Sequence, residues 1–348
     1  MKILALDLGK SKTCGCILET LTGEQRFRTV ATTAAALTRL LQRERPTDLV
    51  LEVCTLAGWV HDLGVGAGVR VHVANPNHEA WRWRNVKRKT DRLDAAKLAD
   101  LLAARQLPTV HVPSQTVRAH RALIRYRGQL VARRCRIKNT IHSLLLRQGL
   151  RHVSGPGGWT QTSRAKLSEL SRPWEQVDAD SLWRGALWED LQALERLDEQ
   201  IQRVESRLNE IGRADERIQR LQTIPCVGPR MAEMLVAVID DPHRFRSGKE
   251  VGSYVGLVPR QYQSGAMDRS GRISKQGHRA LRSLLVEVSW LALRYNPQLR
   301  QVYERLCRGT RSRRKIAIVA VARKLLIIAW AMLRDKTCWQ PSRLQSAA

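Results

Sequence analysis

The stretch that decides the fold of the N-terminal region is Lys2-Ile3-Leu4-Ala5-Leu6-Asp7-Leu8-Gly9-Lys10, in which a short apolar run ends at an acidic residue. A second run of this kind, Leu49-Val50-Leu51, ends at Glu52. The segment Lys89-Thr90-Asp91-Arg92-Leu93-Asp94 then begins a predicted helix. Residues three apart on a helix share a face, so the last two carboxylates can point at one site. Mg²⁺ takes one or two carboxylates and completes its shell with water and phosphate oxygens. The pattern suggests a Mg²⁺ site and phosphoryl-transfer chemistry on nucleic acid, with four candidate ligands: Asp7, Glu52, Asp91 and Asp94.

Each of these acidic residues also has a structural explanation. An Asp at the end of a strand is common in turns, Asp91 fits a helix N-cap, and Asp94 is favourable in a first helical turn. Glu52 is harder to explain in this way, because a carboxylate that continues an apolar strand needs a partner if it is buried. Spacing alone leaves both explanations open.

The composition favours a polyanionic partner. The chain has 348 residues, with 60 Lys and Arg against 32 Asp and Glu and a formal charge of +28. Arg outnumbers Lys, which favours bidentate contact with phosphate and strongly salt-dependent binding of nucleic acid. No segment resembles a secretory signal, and the apolar run at 325–333 is too short to span a bilayer. The seven Cys show no zinc-ligand spacing and are typical of reduced thiols. A cytoplasmic protein with no membrane partner is therefore expected.

Three regions separate along the chain. Residues 1–112 alternate strand and helix patterns and predict a mixed α/β domain. The strands are predicted at 2–8, 13–19, 25–30, 48–53 and 69–73, and the helices near 33–44, 59–65 and 92–105. Residues 113–213 follow a long-helix pattern, with one apolar repeat from Leu123 to Leu144 and another from Leu194 to Ile211. That spacing predicts a coiled-coil segment or a helical hairpin, which serves either dimerisation or packing within one chain.

Residues 214–348 predict a mainly helical C-terminal domain. The segment Ile224-Pro225-Cys226-Val227-Gly228-Pro229-Arg230 resembles a helix-hairpin-helix element, in which backbone N–H groups contact phosphate without reading bases. An ordinary Pro/Gly turn between helices is the alternative. Further along, Ser264-Gly265 lies in a polar, cation-rich segment. Ser264 could attack phosphorus while the cations stabilise the charge of the transition state, or it could be a turn residue.

Basic residues cluster in several segments that are candidates for contact with nucleic acid. Residues 81–89 combine cations with two Trp, which could stack on bases or anchor a loop on the core. Residues 113–151 hold ten Lys and Arg and no acidic residue, a pattern that indicates a helix lying against phosphates. The candidate contacts are Arg82, Arg84, Lys87, Arg88, Lys89, Arg118, Arg121, Arg125, Arg133, Arg134, Arg260, Arg272, Lys275, Arg279, Arg313, Arg314 and Lys315.

Together these motifs resemble the DEDD-type insertion-sequence transposases that are related to the Piv invertase, a family of bridge-RNA-guided recombinases. The resemblance covers nearly the whole chain in the same order, and its most specific blocks are the Lys-Thr-Asp-Arg-x-Asp-Ala segment at 89–95 and the Gln-Ser-Gly segment at 263–265. It implies a RuvC-like, that is ribonuclease-H-like, domain at 1–112 with Asp7, Glu52, Asp91 and Asp94 holding Mg²⁺. A basic coiled-coil segment at 113–213 and a C-terminal transposase domain at 214–348 would follow.

The same resemblance implies a mechanism and partners. Ser264 would form a covalent phosphoserine link to DNA, so that strand exchange needs no ATP. A non-coding bridge RNA would pair with donor and target DNA, while the protein binds backbone and shape. The enzyme would be a tetramer built as a dimer of dimers, in which the RuvC-like domain of one protomer meets the serine domain of another.

Two other functions fit part of the sequence. A metal-dependent nuclease or junction resolvase would use only the four carboxylates, and a covalent protein–DNA adduct would decide against it. A non-catalytic RNA- or DNA-binding relative would usually lack one of the acidic residues, and all four are present. A sugar-kinase-like ATPase, suggested by Asp7-Leu8-Gly9-Lys10, does not explain the charge or the C-terminal third.

Overall fold

The computed structural model describes residues 1–75, 90–150, 159–264 and 267–341. The chain forms two compact units, Met1–Thr116 and Val117–Ala348. The division into three regions with boundaries at 112 and 213 stays a prediction.

The first unit is built on a five-stranded mixed sheet with the strand order β3-β2-β1-β4-β5. β1 pairs antiparallel with β2 and β2 antiparallel with β3, whereas β1–β4 and β4–β5 are parallel pairs. The strands are β1 (Lys2–Leu8), β2 (Lys12–Glu19), β3 (Gln25–Ala31), β4 (Asp48–Glu52) and β5 (Arg70–Ala74). The predicted mixed α/β sheet is confirmed.

Helices cover both faces of this sheet, because both faces of β1 are apolar. Leu4 and Leu6 pack in a cluster with residues of α1 (Ala34–Glu44) and α2 (Ala57–Gly66). Ile3 and Ala5 point the other way, since side chains alternate along a strand, and pack against α3 (Asp91–Ala103). The sheet is therefore the middle layer of the unit, and α3 is the helix that lies on the Ile3 face.

Two long helices, α4 (Gln115–Arg147) and α6 (Trp183–Ala214), pack on each other within the second unit, with the short α5 (Gln161–Leu170) nearby. Leu130 of α4 lies in one buried cluster with Leu197 and Ile201 of α6. The predicted apolar repeats thus pack within the chain at these positions, which favours the intramolecular alternative there. Their use in a coiled coil between chains stays a prediction.

The rest of the second unit is mainly helical, as predicted, around one large apolar core. Its elements are α7 (Glu216–Gln222), α8 (Pro229–Ile239), α9 (Gly248–Val255), β6 (Pro259–Ser264), β7 (Met267–Ile273), α10 (Arg279–Tyr295), α11 (Pro297–Cys307) and α12 (Arg314–Asp335). In the part of the chain that the structure describes, one segment, Arg311–Asp335, is long and apolar enough to cross a membrane. Val321, Leu325 and Ala329 in it are fully buried in the core, so this helix serves the packing of the second unit.

A carboxyl group is buried where α6 meets α8. Glu233 of α8 is 1% exposed and forms an ion pair through Oε2 with Nη1 of Arg230 at 3.1 Å. Its other oxygen, Oε1, has no hydrogen-bond partner among the described residues and faces Gly212 of α6. Burial raises the pKa of Glu233 to about 7, against the opposing effect of the Arg230 and Arg127 charges. This group is therefore sensitive to pH near neutrality.

Candidate active site

Two of the predicted carboxylates lie side by side at the carboxyl edge of the parallel strands. Leu6 of β1 pairs with Leu51 of β4, so Asp7 and Glu52 are the next residues on two neighbouring strands. Side chains alternate along a strand, which places both carboxylates on the sheet face that α3 covers. Both residues are half-buried. The sheet register therefore brings together two acidic residues that are 45 positions apart in the sequence.

The start of α3 carries the other two carboxylates to the same face. Thr90 is the N-cap of this helix, because its side chain accepts a hydrogen bond from the Leu93 N–H at 3.3 Å. The alternative that Asp91 is itself the N-cap is wrong. Asp91 and Asp94 lie in the first turn, while Ala95 and Leu98 anchor the helix in the cluster beneath it.

Two side chains, Cys14 and Lys97, each lie near two of the four carboxylates. Burial raises the pKa of the Cys14 thiol, and the Asp7 and Asp91 carboxylates raise it further. Cys14 lies directly opposite Asp7 across the β1–β2 pair. On the other side, Lys97 of α3 is 7% exposed and lies within the electrostatic reach of Asp94 and Glu52. The thiol of Cys14 thus lies in the field of Asp7 and Asp91, and the ammonium group of Lys97 lies in the field of Asp94 and Glu52.

The sequence analysis did not identify Lys97 as a neighbour of the candidate carboxylates. Burial lowers the pKa of its ammonium group, whereas the carboxylates of Asp94 and Glu52 raise it. A buried cation is costly without an opposite charge, so its place beside two carboxylates has a physical reason. The sequence feature that could have identified Lys97 is its position three residues after Asp94, on a helix face that is otherwise apolar.

The donor set is suited to a hard cation. All four candidate ligands are carboxylates, and Mg²⁺ uses one or two of these and takes its remaining ligands from water and phosphate. Within the described ranges, no three His, Cys, Asp or Glu side chains lie close enough to enclose an ion by themselves. The carboxylate oxygens are of the kind that Mg²⁺ takes as ligands, and the described side chains do not form a closed structural metal site.

Ser264 belongs to the second unit, at the end of a two-stranded hairpin made of β6 and β7. Every residue of β6 is exposed, including Ser264. Arg260, Arg269 and Arg272 on the two strands are exposed as well. The predicted serine thus lies on a solvent-facing, cation-bearing ribbon and is not packed into the core.

The base of this hairpin is fixed to the helical core. Gly256 and Gly277 both have positive φ angles, of 77° and 84°. Their backbones cross so closely that a Cβ on either would overlap a carbonyl oxygen of the other segment. The Ser274 N–H donates to the Val258 carbonyl at 2.8 Å, and Arg282 Nη1 donates to the Val255 carbonyl at 2.8 Å. An isolated hairpin is only marginally stable, so this crossing defines where the ribbon leaves the core.

Comparison with known proteins decides the family. The model of a DEDD transposase family of IS110 type matches residues 4–148, which include all four carboxylates, and the model described as the transposase IS116/IS110/IS902 family matches residues 218–304, which include Ser264. A probable family 20 transposase of Pseudomonas aeruginosa is 31% identical over 255 residues, which cover 73% of this chain and 74% of the relative. The chain belongs to the IS110 family of DEDD transposases.

Two further relatives agree with this assignment. The transposase for the insertion sequence element IS1111A of Coxiella burnetii is 29% identical over 289 residues, covering 82% of this chain and 77% of the relative. A pilin gene-inverting protein of Moraxella lacunata is 33% identical over 151 residues, covering 42% of this chain and 45% of the relative. The predicted relation to the Piv type of invertase is confirmed, and the chain is a DNA transposase.

The predicted nucleic-acid contacts of this transposase fall into three groups. Arg82, Arg84, Lys87, Arg88 and Lys89 lie outside the described residues. Eight others have exposed side chains that can reach a nucleic acid, namely Arg125, Arg133, Arg260, Arg272, Lys275, Arg279, Arg314 and Lys315. Four are half-buried: Arg118, Arg121, Arg134 and Arg313.

Some of the half-buried cations already bond within the transposase. Arg121 donates through Nε to the Ala237 carbonyl at 2.5 Å and through Nη2 to the Val238 carbonyl at 3.2 Å, so these donors satisfy the C-terminal end of α8. Arg134 forms an ion pair with Asp198 of α6 at 3.2 Å. The sequence could not show this, because the acidic partners of α4 lie on another helix.

Proposed function

We propose that this transposase cuts and rejoins DNA through a phosphoserine intermediate, with Ser264 as the nucleophile and Asp7, Glu52, Asp91 and Asp94 as the metal-binding carboxylates. The observation that carries the proposal is that Asp7 and Glu52, at the ends of two neighbouring strands, lie on the sheet face that α3 covers, and that the first turn of α3 carries Asp91 and Asp94. The exposure of Ser264 on a cation-bearing hairpin supports its part of the proposal, because a nucleophile must reach a phosphate on a large polyanion.

The first unit is proposed to be RuvC-like, that is ribonuclease-H-like. Its support is the strand order β3-β2-β1-β4-β5, with three antiparallel strands followed by parallel pairing, together with acidic residues on β1 and at the end of β4. The catalytic carboxylates of such a unit lie at the carboxyl edge, where Asp7 and Glu52 are found.

The proposed chemical step is an exchange of phosphate esters. The Ser264 Oγ attacks phosphorus and forms an O–P bond, while the P–O bond to one deoxyribose breaks. The proton that Ser264 gives up balances the proton that the departing deoxyribose oxygen takes. Because the serine ester keeps the energy of the phosphodiester, attack by a second deoxyribose hydroxyl reverses the step on another strand without ATP.

The roles of the remaining groups follow from their charge. When bound, Mg²⁺ would act as a Lewis acid toward the scissile phosphate. Asp7, Glu52, Asp91 and Asp94 would hold that ion, and Lys97 would balance part of their negative charge. The exposed arginines of the hairpin would stabilise the charge that develops on the phosphate oxygens.

Donor and target DNA are the proposed substrates, and a non-coding bridge RNA is the proposed guide. The formal charge of +28 supports binding to several nucleic-acid strands at once. We further propose a tetramer, a dimer of dimers, in which the carboxylates of one protomer act with Ser264 of another. In this arrangement the two half-sites meet only in the assembled complex, which suppresses cleavage by single protomers.

The Ser264→Ala variant tests the proposal. We expect it to form no covalent adduct with a labelled DNA carrying the element's end, in the presence of Mg²⁺ and RNA transcribed from the element's flanks. Its affinity for the same DNA should stay within about twofold, because phosphate contacts dominate binding. Ser283→Ala, at an exposed position on α10, is the matched control and should form adducts like the wild-type protein.

The outcomes separate the proposed enzyme from its alternatives. Adducts formed by Ser264→Ala would refute the nucleophile. Cleavage without any adduct, lost when Asp7 is replaced by Ala, would instead support a metal-dependent nuclease or junction resolvase. Adduct formation without the RNA would refute guidance by RNA while leaving the serine chemistry intact.

A further inference from the structure

The hairpin that carries Ser264 has two chemically different faces. Residues directly opposite each other in an antiparallel pair share a face, and side chains alternate along each strand. Tyr262 pairs with Arg269, and Ser264 pairs with Met267. These four side chains therefore lie on the same face of the ribbon, which we call the serine face.

The opposite face carries neutral amides and an acid. Gln263 pairs with Asp268, and Gln261 Nε2 donates to Asp268 Oδ1 at 3.5 Å. Positions 261, 263 and 268, all within the described residues, carry neither an aromatic ring nor a cation. At the end of the hairpin that holds Ser264, the serine face thus carries a cation and an aromatic ring, and the opposite face carries amides and an acid.

The serine face is open and its aromatic ring has a defined place. Tyr262 is 51% exposed and Met267 is 56% exposed. A Cβ added to Gly271 of β7 would come within 2.9 Å of Cε2 of Tyr262, so the ring occupies the space that a side chain at 271 would fill. An exposed aromatic ring that is already positioned gives up little conformational freedom when a planar group stacks on it.

The charge of the residues around the serine face indicates which kind of partner this face binds. Residues 214–348 hold 25 Lys and Arg against 10 Asp and Glu. Arg269 stands beside Tyr262 on the serine face, and a guanidinium binds phosphate in a bidentate manner. Aromatic rings interleaved with cations are the surface on which unpaired bases stack, independently of sequence. These features favour a nucleic-acid strand over a second protein surface.

We propose that Tyr262 and Arg269 bind the nucleotide next to the phosphate that Ser264 attacks. Tyr262 stacks on an unpaired base, and Arg269 donates to the backbone phosphate beside it. Two residues of a strand span about 7 Å, so the ring and the serine hydroxyl can contact one nucleotide and its neighbouring phosphate. The proposal rests on the proposed function of Ser264 and adds that its substrate strand is locally unpaired. Tyr262 and Arg269 are then positioning residues for the reaction.

A cross-linking experiment tests binding independently of chemistry. The full-length Ser264→Ala protein is irradiated with a single-stranded oligonucleotide that contains 5-iododeoxyuridine, and the linked peptides are identified by mass spectrometry. We expect a cross-link on the peptide that contains Tyr262, and its loss in the Ser264→Ala, Tyr262→Ala double variant. The added substitution Gln261→Ala, on the opposite face, is the matched control and should keep the cross-link.

A kinetic experiment tests positioning in the intact enzyme. At saturating DNA, we expect Tyr262→Ala to slow adduct formation by about 10- to 100-fold, and Tyr262→Phe to restore it to within about twofold, since the ring and not the hydroxyl stacks. Arg269→Gln should slow it by a similar factor, whereas Gln261→Ala, on the opposite face, should not. All of these side chains are exposed, so equal melting temperatures are expected for every variant.

The results distinguish this inference from the function on which it rests. If the wild-type protein forms adducts and Tyr262→Ala and Arg269→Gln form them at the same rate, the serine face is not a nucleotide site, and Ser264 keeps its role. A Tyr262→Ala variant that changes the oligomeric state without losing the cross-link would assign this face to a second copy of the chain, which also overturns the inference. If no wild-type adduct forms, the proposed function fails, and the cross-link alone decides whether this face binds a base.

Discussion

The buried carboxyl of Glu233 makes a quantitative prediction about the stability of the second unit. Its pKa is raised from 4.5 to about 7 because the group is buried with one oxygen unpartnered, and one pKa unit corresponds to about 1.4 kcal/mol. Below pH 4.5 the group is protonated in both the folded and the unfolded chain. Between pH 4.5 and 7 the unfolded chain releases the proton while the folded chain keeps it, so the stability falls as the pH rises. Above pH 7 this dependence ends.

Glu233→Gln removes the ionisation and keeps the shape of the side chain. From pH 5 to pH 8, we expect the free energy of unfolding of the variant to rise by about 2 to 3 kcal/mol relative to the wild-type protein. For a unit of this size, that difference corresponds to roughly 4–12 °C in melting temperature. Thermal unfolding of the full chain, followed by circular dichroism at both pH values, measures it.

Glu287→Gln is the matched control for this prediction. Glu287 is exposed on α10, so its replacement should leave the pH dependence of the wild-type protein unchanged. A constant difference between Glu233→Gln and the wild-type protein at pH 5 and pH 8 would refute the reasoning, because the buried carboxyl would then ionise alike in both states. The measurement also tests whether α6 and α8 enclose this group in solution as they do in the structure.

The remaining predictions concern the proposed active site and the basic surface. Ser264→Ala chains and Asp7→Ala chains should each be inactive alone, but mixed oligomers of the two should form covalent adducts with DNA. Some sites in these oligomers would combine an intact serine from one chain with intact carboxylates from another. If adducts form only when both groups reside on the same chain, the model of shared sites is wrong. Lys97→Met should lower the melting temperature without Mg²⁺, since it removes the positive charge near Asp94 and Glu52. Mg²⁺ should restore more stability in this variant than in the wild-type protein, because it supplies the missing positive charge. An equal loss with and without Mg²⁺ would show that Lys97 does not act on the metal site. Replacing Arg125 and Arg133 of α4 by Gln should weaken DNA binding and reduce the slope of log K against log salt by about 1.8, or about 0.9 for each lost phosphate contact. An unchanged slope in fluorescence anisotropy titrations would assign that face of α4 to another role.

Much of the first unit could be predicted because its signals are local. Each predicted strand of the sheet overlaps an observed one, since an apolar run bounded by turns encodes a buried strand without reference to distant residues. The spacing of Asp91 and Asp94 likewise fixed a shared helix face before any tertiary contact was known. The family resemblance, carried by the segments at 89–95 and 263–265, is confirmed by the comparisons.

Other features depend on contacts between residues far apart in the chain, and only the tertiary structure decided them. The sequence of residues 113–151, with its ten cations, predicted one phosphate-binding surface. In the structure, Arg127 and Arg134 form ion pairs with acidic residues of α6, and Arg121 donates hydrogen bonds to carbonyl groups of α8. The long apolar repeats were compatible with packing against another chain or within the same chain. The cluster of Leu130 with Leu197 and Ile201 shows packing within the chain at these positions. A periodic pattern specifies which face of a helix is apolar, but not which surface will cover it.

The candidate site shows the same division. The sequence by itself determined which residues are candidates for the chemistry: four carboxylates, one serine and an excess of arginine, because residue type and local spacing suffice to recognise them. The tertiary structure decided their surroundings, namely the burial of Lys97 beside two acids, the position of Ser264 on the face that Tyr262 and Arg269 share, and the unpartnered oxygen of Glu233. Burial and charge pairing depend on the three-dimensional fold and not on the order of residues along the chain. The free energy of a charged group is set by the atoms that surround it in the folded chain.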